Sequence, residues 1–273
     1  VSNGLTRTGI PYLTDVFNAA AGCSAGCPYC YVRRIAHRLP CPQCRTGEPH
    51  MHRTRLEAFA DSTERMKPRV IGVSFTGELF DPLRLNADIE AVVRACDAHP
   101  QHAYVYLTKR PAIMEFWATR ERTNCWFGVS VDGAAATAMR LEWLARLGRH
   151  GVNTWLSVEP WSGHGLDLLQ GIIGGRTPPQ FVAIGSESGP GARLLNGEGR
   201  RRWWRAADAL VEGCRAARVP VWVKQMPIHG PRGYDDTVCS HEPGRGWPPG
   251  LRIRDLPPGR WGEILGNAKG GGA

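Results

Sequence analysis

Residues 70–82 read Val-Ile-Gly-Val-Ser-Phe-Thr-Gly-Glu-Leu-Phe-Asp-Pro. A short apolar run, 70–75, stops abruptly at Thr76-Gly77-Glu78. Continuous apolarity over so few residues suits a strand buried on both faces, the habit of parallel sheets. The same form recurs on either side. Residues 103–107 lead to Thr108-Lys109-Arg110, and residues 125–131 close around Ser130 and Asp132. Residues 154–158 lead to Glu159, residues 181–184 to Gly185-Ser186-Glu187-Ser188-Gly189, and residues 219–223 to Lys224-Gln225. An earlier strand is expected over 13–17.

Helical patterns separate these runs, at 87–98, 134–146 and 202–217. In the last, Trp203, Ala207, Leu210, Val211 and Cys214 share one face. Strand and helix alternate, which predicts an α/β fold with a parallel sheet and right-handed crossovers. Six to seven strands predict a partial or complete (β/α) barrel, with a doubly wound open sheet as the alternative. In either architecture functional groups gather at the C-terminal ends of the strands. Six successive strands here end in polar or charged residues, so one active-site rim is expected.

Composition sets the outer bounds. The chain has 273 residues, 42% hydrophobic and 22% charged, enough for a filled core. No run approaches the ~18 apolar residues of a membrane span. The opening VSNGLTRTGIPYL lacks a signal-peptide apolar region, so no membrane partner and a cytoplasmic location are expected. Nine cysteines, an odd number without a secretion signal, argue against a disulfide framework. Cys96, Cys125, Cys214 and Cys239 are scattered and read as small buried apolar residues. The net charge of +9 favours anionic partners such as nucleic acid. The expected organisation is an α/β domain over 1–228 with a Cys/His-containing insertion near 38–67. A Gly/Pro-rich extension over 229–273 should run extended before a disordered end at 269–273. Nothing in the sequence fixes an oligomeric state.

The remaining five cysteines are clustered. Cys23-Ser-Ala-Gly-Cys27-Pro-Tyr-Cys30 places three thiolates in one tight loop. Iron–sulfur clusters usually take four cysteines, so a compact set of three leaves one iron for an external ligand. Gly22 and Gly26 let the backbone curl around it. A zinc knuckle completed by a distant Cys or His is the competing reading. Cys41-Pro-Gln-Cys44, followed by His50 and His52, has zinc-like ligand types and spacing. Zinc is the expected ion. An auxiliary iron–sulfur cluster would need another cysteine such as Cys239, and a reduced C-x-x-C without metal is the bland alternative.

Two further features are weaker. Arg200-Arg-Arg-Trp-Trp-Arg205 has phosphate-neutralising and base-stacking residue types. A helix start with its tryptophans in the core is the preferred reading. Lys109, Arg110, Arg193 and Lys224 follow strands and are better candidates for holding substrate. The loop 185–191 is not a P-loop, since no Gly-Lys-Ser/Thr follows. Its backbone amides could cradle an anion, or it is simply a tight turn.

The C-x3-C-x2-C loop with Tyr29 before its last cysteine, and the order of features over residues 10–228, resemble the radical S-adenosylmethionine (SAM) superfamily. That resemblance implies a [4Fe–4S] cluster on Cys23, Cys27 and Cys30, whose open iron is chelated by SAM. Tyr29 resembles the residue that approaches the adenine. Thr76-Gly77-Glu78 resembles the GGE motif that meets the methionyl amine, with threonine for its first glycine. Ser130 and Asp132 stand where polar residues contact ribose or carboxylate.

More narrowly, AAAGCSAGCPYCY, FTGELFDP, YLTKRP, WFGVSVD, WLSVEP, IGSESGPGAR and VWVKQM together resemble a phage-encoded radical SAM family. Some of its members are implicated in thymidine hypermodification. The resemblance implies an isomerase that converts an Nα-linked glycyl thymidine in viral DNA to its Cα-linked form. Glu159, Glu187 and Lys224 would orient the amine and carboxylate. It further implies a DNA or modified-nucleotide substrate, an electron donor such as flavodoxin or ferredoxin, and a host-cytoplasm location. The rivals are a radical SAM lyase acting on pyrimidine lesions, a non-catalytic zinc protein that binds nucleic acid, and a simple electron carrier.

Overall fold

The computed structural model describes residues 4–62, 67–133, 136–189, 192–230, 237–243 and 246–270. The chain forms two compact units. The first takes residues 1–128, 151–153 and 258–273, the second 129–150 and 154–257.

The first unit opens with β1 (Leu5–Arg7), β2 (Asp15–Phe17), β3 (Ala20–Ala21), α1 (Tyr31–Ile35), α2 (Pro42–Thr46), β4 (His50–Met51) and α3 (Arg53–Ser62). It continues with β5 (Val70–Val73), α4 (Asn86–Asp97), β6 (Ala103–Thr108) and α5 (Pro111–Met114). Strands β2, β5 and β6 pair in parallel, with Asp15 opposite Ile71 and Val70 opposite Ala103, while β1 lies antiparallel on β2. β3 and β4 form a separate small antiparallel pair. Strand β7 (Cys125–Val131) comes next to β6 and is buried along its whole length. That full burial is why its sequence is apolar without alternation. Tyr106 of β6 stacks on Phe127 of β7 at 4.9 Å.

The second unit contains α6 (Thr137–Arg149), β8 (Thr154–Val158), α7 (Leu166–Ile173), β9 (Val182–Gly185), α8 (Gly197–Ala216), β10 (Val221–His229) and β11 (Thr237–Ser240). β8, β9 and β10 pair in parallel, and β11 closes the edge antiparallel to β10. Helix α8 starts at Gly197, five residues before the expected 202, because Asn196 caps it: its Oδ1 accepts from Gly199 N–H at 2.7 Å. Trp203 is wholly buried and Trp204 Nε1 donates to Pro227 O, so the Arg/Trp run is a structural helix start.

The architecture is α/β with a largely parallel sheet, as expected. Each unit carries one antiparallel edge strand, β1 in the first and β11 in the second. β5 stops at Val73, two residues short of the expected run. Ser74 takes a left-handed φ of 60° while its amide still reaches Phe17 O, so the chain turns there. The extension departs further from expectation. Residues 259–270 form a helix, α9 (Gly259–Gly270), returning to the first unit. Trp261 on it is wholly buried, donates to Tyr12 O at 2.8 Å and meets Trp126 edge-on at 5.7 Å. Parts of several expected features lie outside the described residues: 63–66 of the insertion, 134–135 of the helix over 134–146, 190–191 of the glycine-rich loop, and 231–236, 244–245 and 271–273 of the extension. No helix of the described residues is long and apolar enough to cross a membrane.

Candidate metal and cofactor site

The three-cysteine loop leaves β3 through Gly22, whose φ is 78°. A Cβ there would fall 1.9 Å from Glu48 O, so only glycine fits. Cys23 N–H donates to Gly47 O at 2.9 Å. Ser24 gives both its amide and its hydroxyl to the buried Asp81 carboxylate, at 2.7 to 3.0 Å. Cys30 N–H reaches Cys27 O at 3.1 Å and opens α1. All three thiols are free and half-buried. Burial pushes the Cys23 thiol up to about 11; the Ala25 amide opposes this, and Glu78 and Asp81 add to it. A metal partner would remove that penalty by replacing the proton.

A single zinc ion draws its sulfurs to roughly 3.8 Å of one another. Among the described residues, the set whose ligand atoms all lie within 4.8 Å is Cys41, Cys44, His50 and His52.

The strand end after β5 forms the floor of this loop. Gly77 bridges to Gly22, and Glu78 N–H donates to Gly22 O at 3.0 Å. A Cβ on Gly77 would meet Gly22 O at 2.6 Å. Thr76 N–H is held by Asn18 Oδ1 at 3.2 Å. The Glu78 carboxylate is buried and accepts from Thr108 Oγ1 (2.7 Å), Lys109 N–H (3.0 Å) and Phe80 N–H (3.1 Å). Burial raises its pKa, and those three donors oppose the rise. The Lys109 ammonium donates to the Tyr29 hydroxyl, lies 4.3 Å from that ring's centroid and stands 3.6 Å from Cys27 Sγ. Lys109, expected to hold substrate, therefore stands beside the cysteine loop.

Sequence reasoning missed Arg84. Its buried guanidinium donates to Ala21 O and His50 O, both at 2.9 Å, and to Glu78 O at 3.3 Å. Nothing in the local sequence distinguishes it from a solvated arginine. Asp81 stood inside a quoted motif without a role, and its spacing to Ser24 is invisible in sequence.

Cys41, Cys44, His50 and His52 converge as one half-buried group. His50 Nδ1–H donates to Glu48 O at 2.7 Å, which leaves its Nε2 to face the sulfurs. Burial pushes His52 down to about 4, with Arg55 and His50 adding, so it is neutral as a ligand must be. Cys239, considered as an extra ligand, lies in the second unit with its sulfur 3.4 Å from Ser186 Oγ; the four-ligand set is complete without it.

In the second unit Glu159 Oε1 accepts from Lys224 Nζ and Gln225 Nε2, each at 2.6 Å. Gln225 also donates to Ser186 O at 2.8 Å. Ser130 Oγ donates to Glu159 O at 3.1 Å. Asp132 pairs with Arg140 at 3.2 Å, and Arg140 reaches Ser130 O at the same distance. Glu187 instead accepts from the amide and guanidinium of Arg193, at 3.1 and 3.0 Å. Ser130, Asp132, Glu159 and Lys224 thus belong to one connected neighbourhood through Arg140 and Ser130, and Gln225 joins it unforeseen.

The family described as "Protein of unknown function (DUF5131)" matches residues 7–247. The chain belongs to that family. No curated protein matches the DUF5131 chain. Its fold is similar to that of spore photoproduct lyase. A doubly substituted form of that enzyme, with bound AdoMet and dinucleoside spore photoproduct, superposes with a TM-score of 0.56 at 12% identity, covering 87% of the DUF5131 chain and 71% of the lyase. A second form, complexed with dinucleoside spore photoproduct, gives 0.51 at 11% identity, covering 86% and 71%.

Proposed function

We propose that this chain is a radical SAM enzyme that acts on a modified base in DNA. One observation carries the reading: three free, half-buried thiols share one loop beside the Lys109 ammonium. The donor set fits a cubane held at three corners, and the cation suits an anionic cluster. The fold shared with a lyase solved with AdoMet supports the cofactor pair. A [4Fe–4S] cluster and SAM, when bound, supply one-electron cleavage of SAM and hydrogen abstraction from an unactivated carbon.

The chain supplies binding and electrostatics. Cys23, Cys27 and Cys30 hold the cluster. Tyr29 is assigned to the adenine, and Thr76, Gly77 and Glu78 to the methionyl end. Three donors already occupy Glu78, leaving roughly one lone-pair site for an amine. Ser130 and Asp132 are assigned to ribose or carboxylate, and Glu159, Glu187 and Lys224 to the substrate. The second metal set would take zinc. Flavodoxin or ferredoxin would deliver the electron, in the cytoplasm.

The Glu159–Lys224 pair favours a substrate that carries an amino acid. A carboxylate beside an ammonium matches the ammonium and carboxylate of glycine with opposite signs. The finer reading is therefore isomerisation of an Nα-linked glycyl thymidine to the Cα-linked form during thymidine hypermodification of phage DNA. A second reading, lyase-type repair of a pyrimidine lesion, is favoured by the dinucleoside photoproduct in the structural neighbours.

Anaerobic incubation of reconstituted protein with SAM, reductant and each DNA, followed by nucleoside mass analysis, separates them. Isomerisation leaves the glycyl-thymidine mass unchanged and shifts its retention. Repair returns unmodified thymidine from the photoproduct. Absence of SAM cleavage under all conditions refutes the parent reading.

A further inference from the structure

We propose that Cys41, Cys44, His50 and His52 bind one zinc ion, and that this ion clamps the hairpin on which the cysteine loop is seated. The role of the clamp rests on reading Cys23, Cys27 and Cys30 as cluster ligands; the zinc site does not.

Four of the six edges can be compared with those of a tetrahedral zinc site. With Zn–S near 2.3 Å and Zn–N near 2.0–2.1 Å, the N···N edge is about 3.3 Å and each S···N edge about 3.6 Å. His50 Nε2 and His52 Nε2 are 3.3 Å apart. Cys44 Sγ stands 3.4 Å from His50 Nε2 and 3.3 Å from His52 Nε2, and Cys41 Sγ stands 3.8 Å from His50 Nε2. These four edges match one ion, and all four ligand atoms lie within 4.8 Å of one another. Two thiolates with two imidazoles in this geometry select zinc over magnesium or calcium. The Glu48 carbonyl on His50 Nδ1 fixes the ring tautomer that presents Nε2 inward.

The site is joined to the cysteine loop by backbone hydrogen bonds and by the Arg84 side chain. Ala21 pairs with His50 and Ala20 with Met51. His52 N–H donates to Ala19 O at 2.7 Å, and Cys23 N–H to Gly47 O at 2.9 Å. Arg84 ties Ala21 O to His50 O from the other side. Two-residue strands this short hold little by themselves. α2, between Cys41 and His50, buries none of its residues, so packing does not fix the segment either. A metal ion supplies the missing constraint.

The test uses the full chain, purified anaerobically and reconstituted, with zinc and iron measured by mass spectrometry. About one zinc per chain is expected beside the iron. The Cys41→Ser/Cys44→Ser variant should lose zinc at least about tenfold and iron severalfold. His52→Cys, which keeps four ligands, should retain both. The Cys23→Ala/Cys27→Ala/Cys30→Ala variant should lose iron and keep zinc. Should the cluster reading fail, the wild type would carry zinc without a four-iron cluster, so the two failures are distinct. Wild-type protein with no zinc, or with iron in this site, overturns the metal assignment. A zinc-free double variant with full iron overturns the clamp. If that variant does not fold, chelation of zinc from wild-type protein, followed through the cluster's visible absorption, decides the same question.

Discussion

Replacing Gly77 by alanine tests the seat of the cysteine loop. The new Cβ would lie 2.6 Å from Gly22 O, 2.8 Å from Gly22 N and 2.9 Å from Ala21 C. All three are backbone atoms, and both chains are pinned: Gly22 by Glu48, Gly77 by the turn at Ser74. Reaching an ordinary 3.4 Å contact needs about 0.8 Å of separation. That movement breaks the Glu78 N–H to Gly22 O bond, worth about 1 kcal/mol. The overpacking itself costs about 1–3 kcal/mol. A total of roughly 2–4 kcal/mol lowers the melting temperature by about 5–15 °C for a chain of this size. Thermal unfolding measures the stability loss, and iron per chain after reconstitution measures the displaced loop. Gly171→Ala is the control: it lies on α7 with nothing within 4 Å, and should be neutral or stabilise by up to about 1 kcal/mol. A Gly77→Ala protein with wild-type melting temperature and wild-type iron would refute the reasoning.

Arg84→Ala leaves buried carbonyls of Ala21, His50 and Glu78 without their donor, and should cost about 3 kcal/mol, read as a shift in urea midpoint. Lys109→Met removes a cation 3.6 Å from Cys27 Sγ; the cluster potential should fall by on the order of 50 mV in an EPR-monitored titration, because the reduced cluster loses more stabilisation than the oxidised one. An unchanged potential would detach Lys109 from the cluster. His102 is buried and pushed down to about 4, its Nδ1 accepting from Arg69 N–H. Folding therefore excludes a proton that the unfolded chain binds below 6.5, so its contribution is complete above that pH and is lost as pH falls toward 4, by up to roughly 3 kcal/mol. Urea midpoints from pH 7.5 to 4.5 should converge on those of His102→Asn as pH falls; parallel curves would exclude His102. Glu159→Gln should retain SAM cleavage and lose most substrate conversion, measured as 5′-deoxyadenosine against modified nucleoside.

The runs that became β7 and β8 were legible to the residue, because burial on both faces leaves a sequence with no charged positions and no polar alternation. α9 was not. Gly259, Gly262, Gly266 and Gly270 give it poor helix propensity, and it forms because Trp261, Ile264 and Leu265 are buried. Such tertiary rescue leaves no periodic signal strong enough to outweigh four glycines. The two candidate metal-ligand sets were visible because their members are close in sequence. The environment of Glu78 was not: Thr108 lies thirty residues away and reaches it only because β5 and β6 are neighbours. Arg84 was hidden for the same reason, since its partners at Ala21 and His50 lie 63 and 34 residues back.

That compactness in sequence has a consequence for biogenesis. Every cysteine and histidine of the two metal sets, and the Gly77, Glu78, Asp81 and Arg84 that brace them, fall within residues 23–84. Closing such short loops costs little chain entropy, since the cost grows only with the logarithm of length. Domains fold as synthesis proceeds. Both sets of proposed metal ligands thus leave the ribosome before Glu159 and Lys224, so metal delivery could begin on a nascent chain in which those two residues have yet to be made.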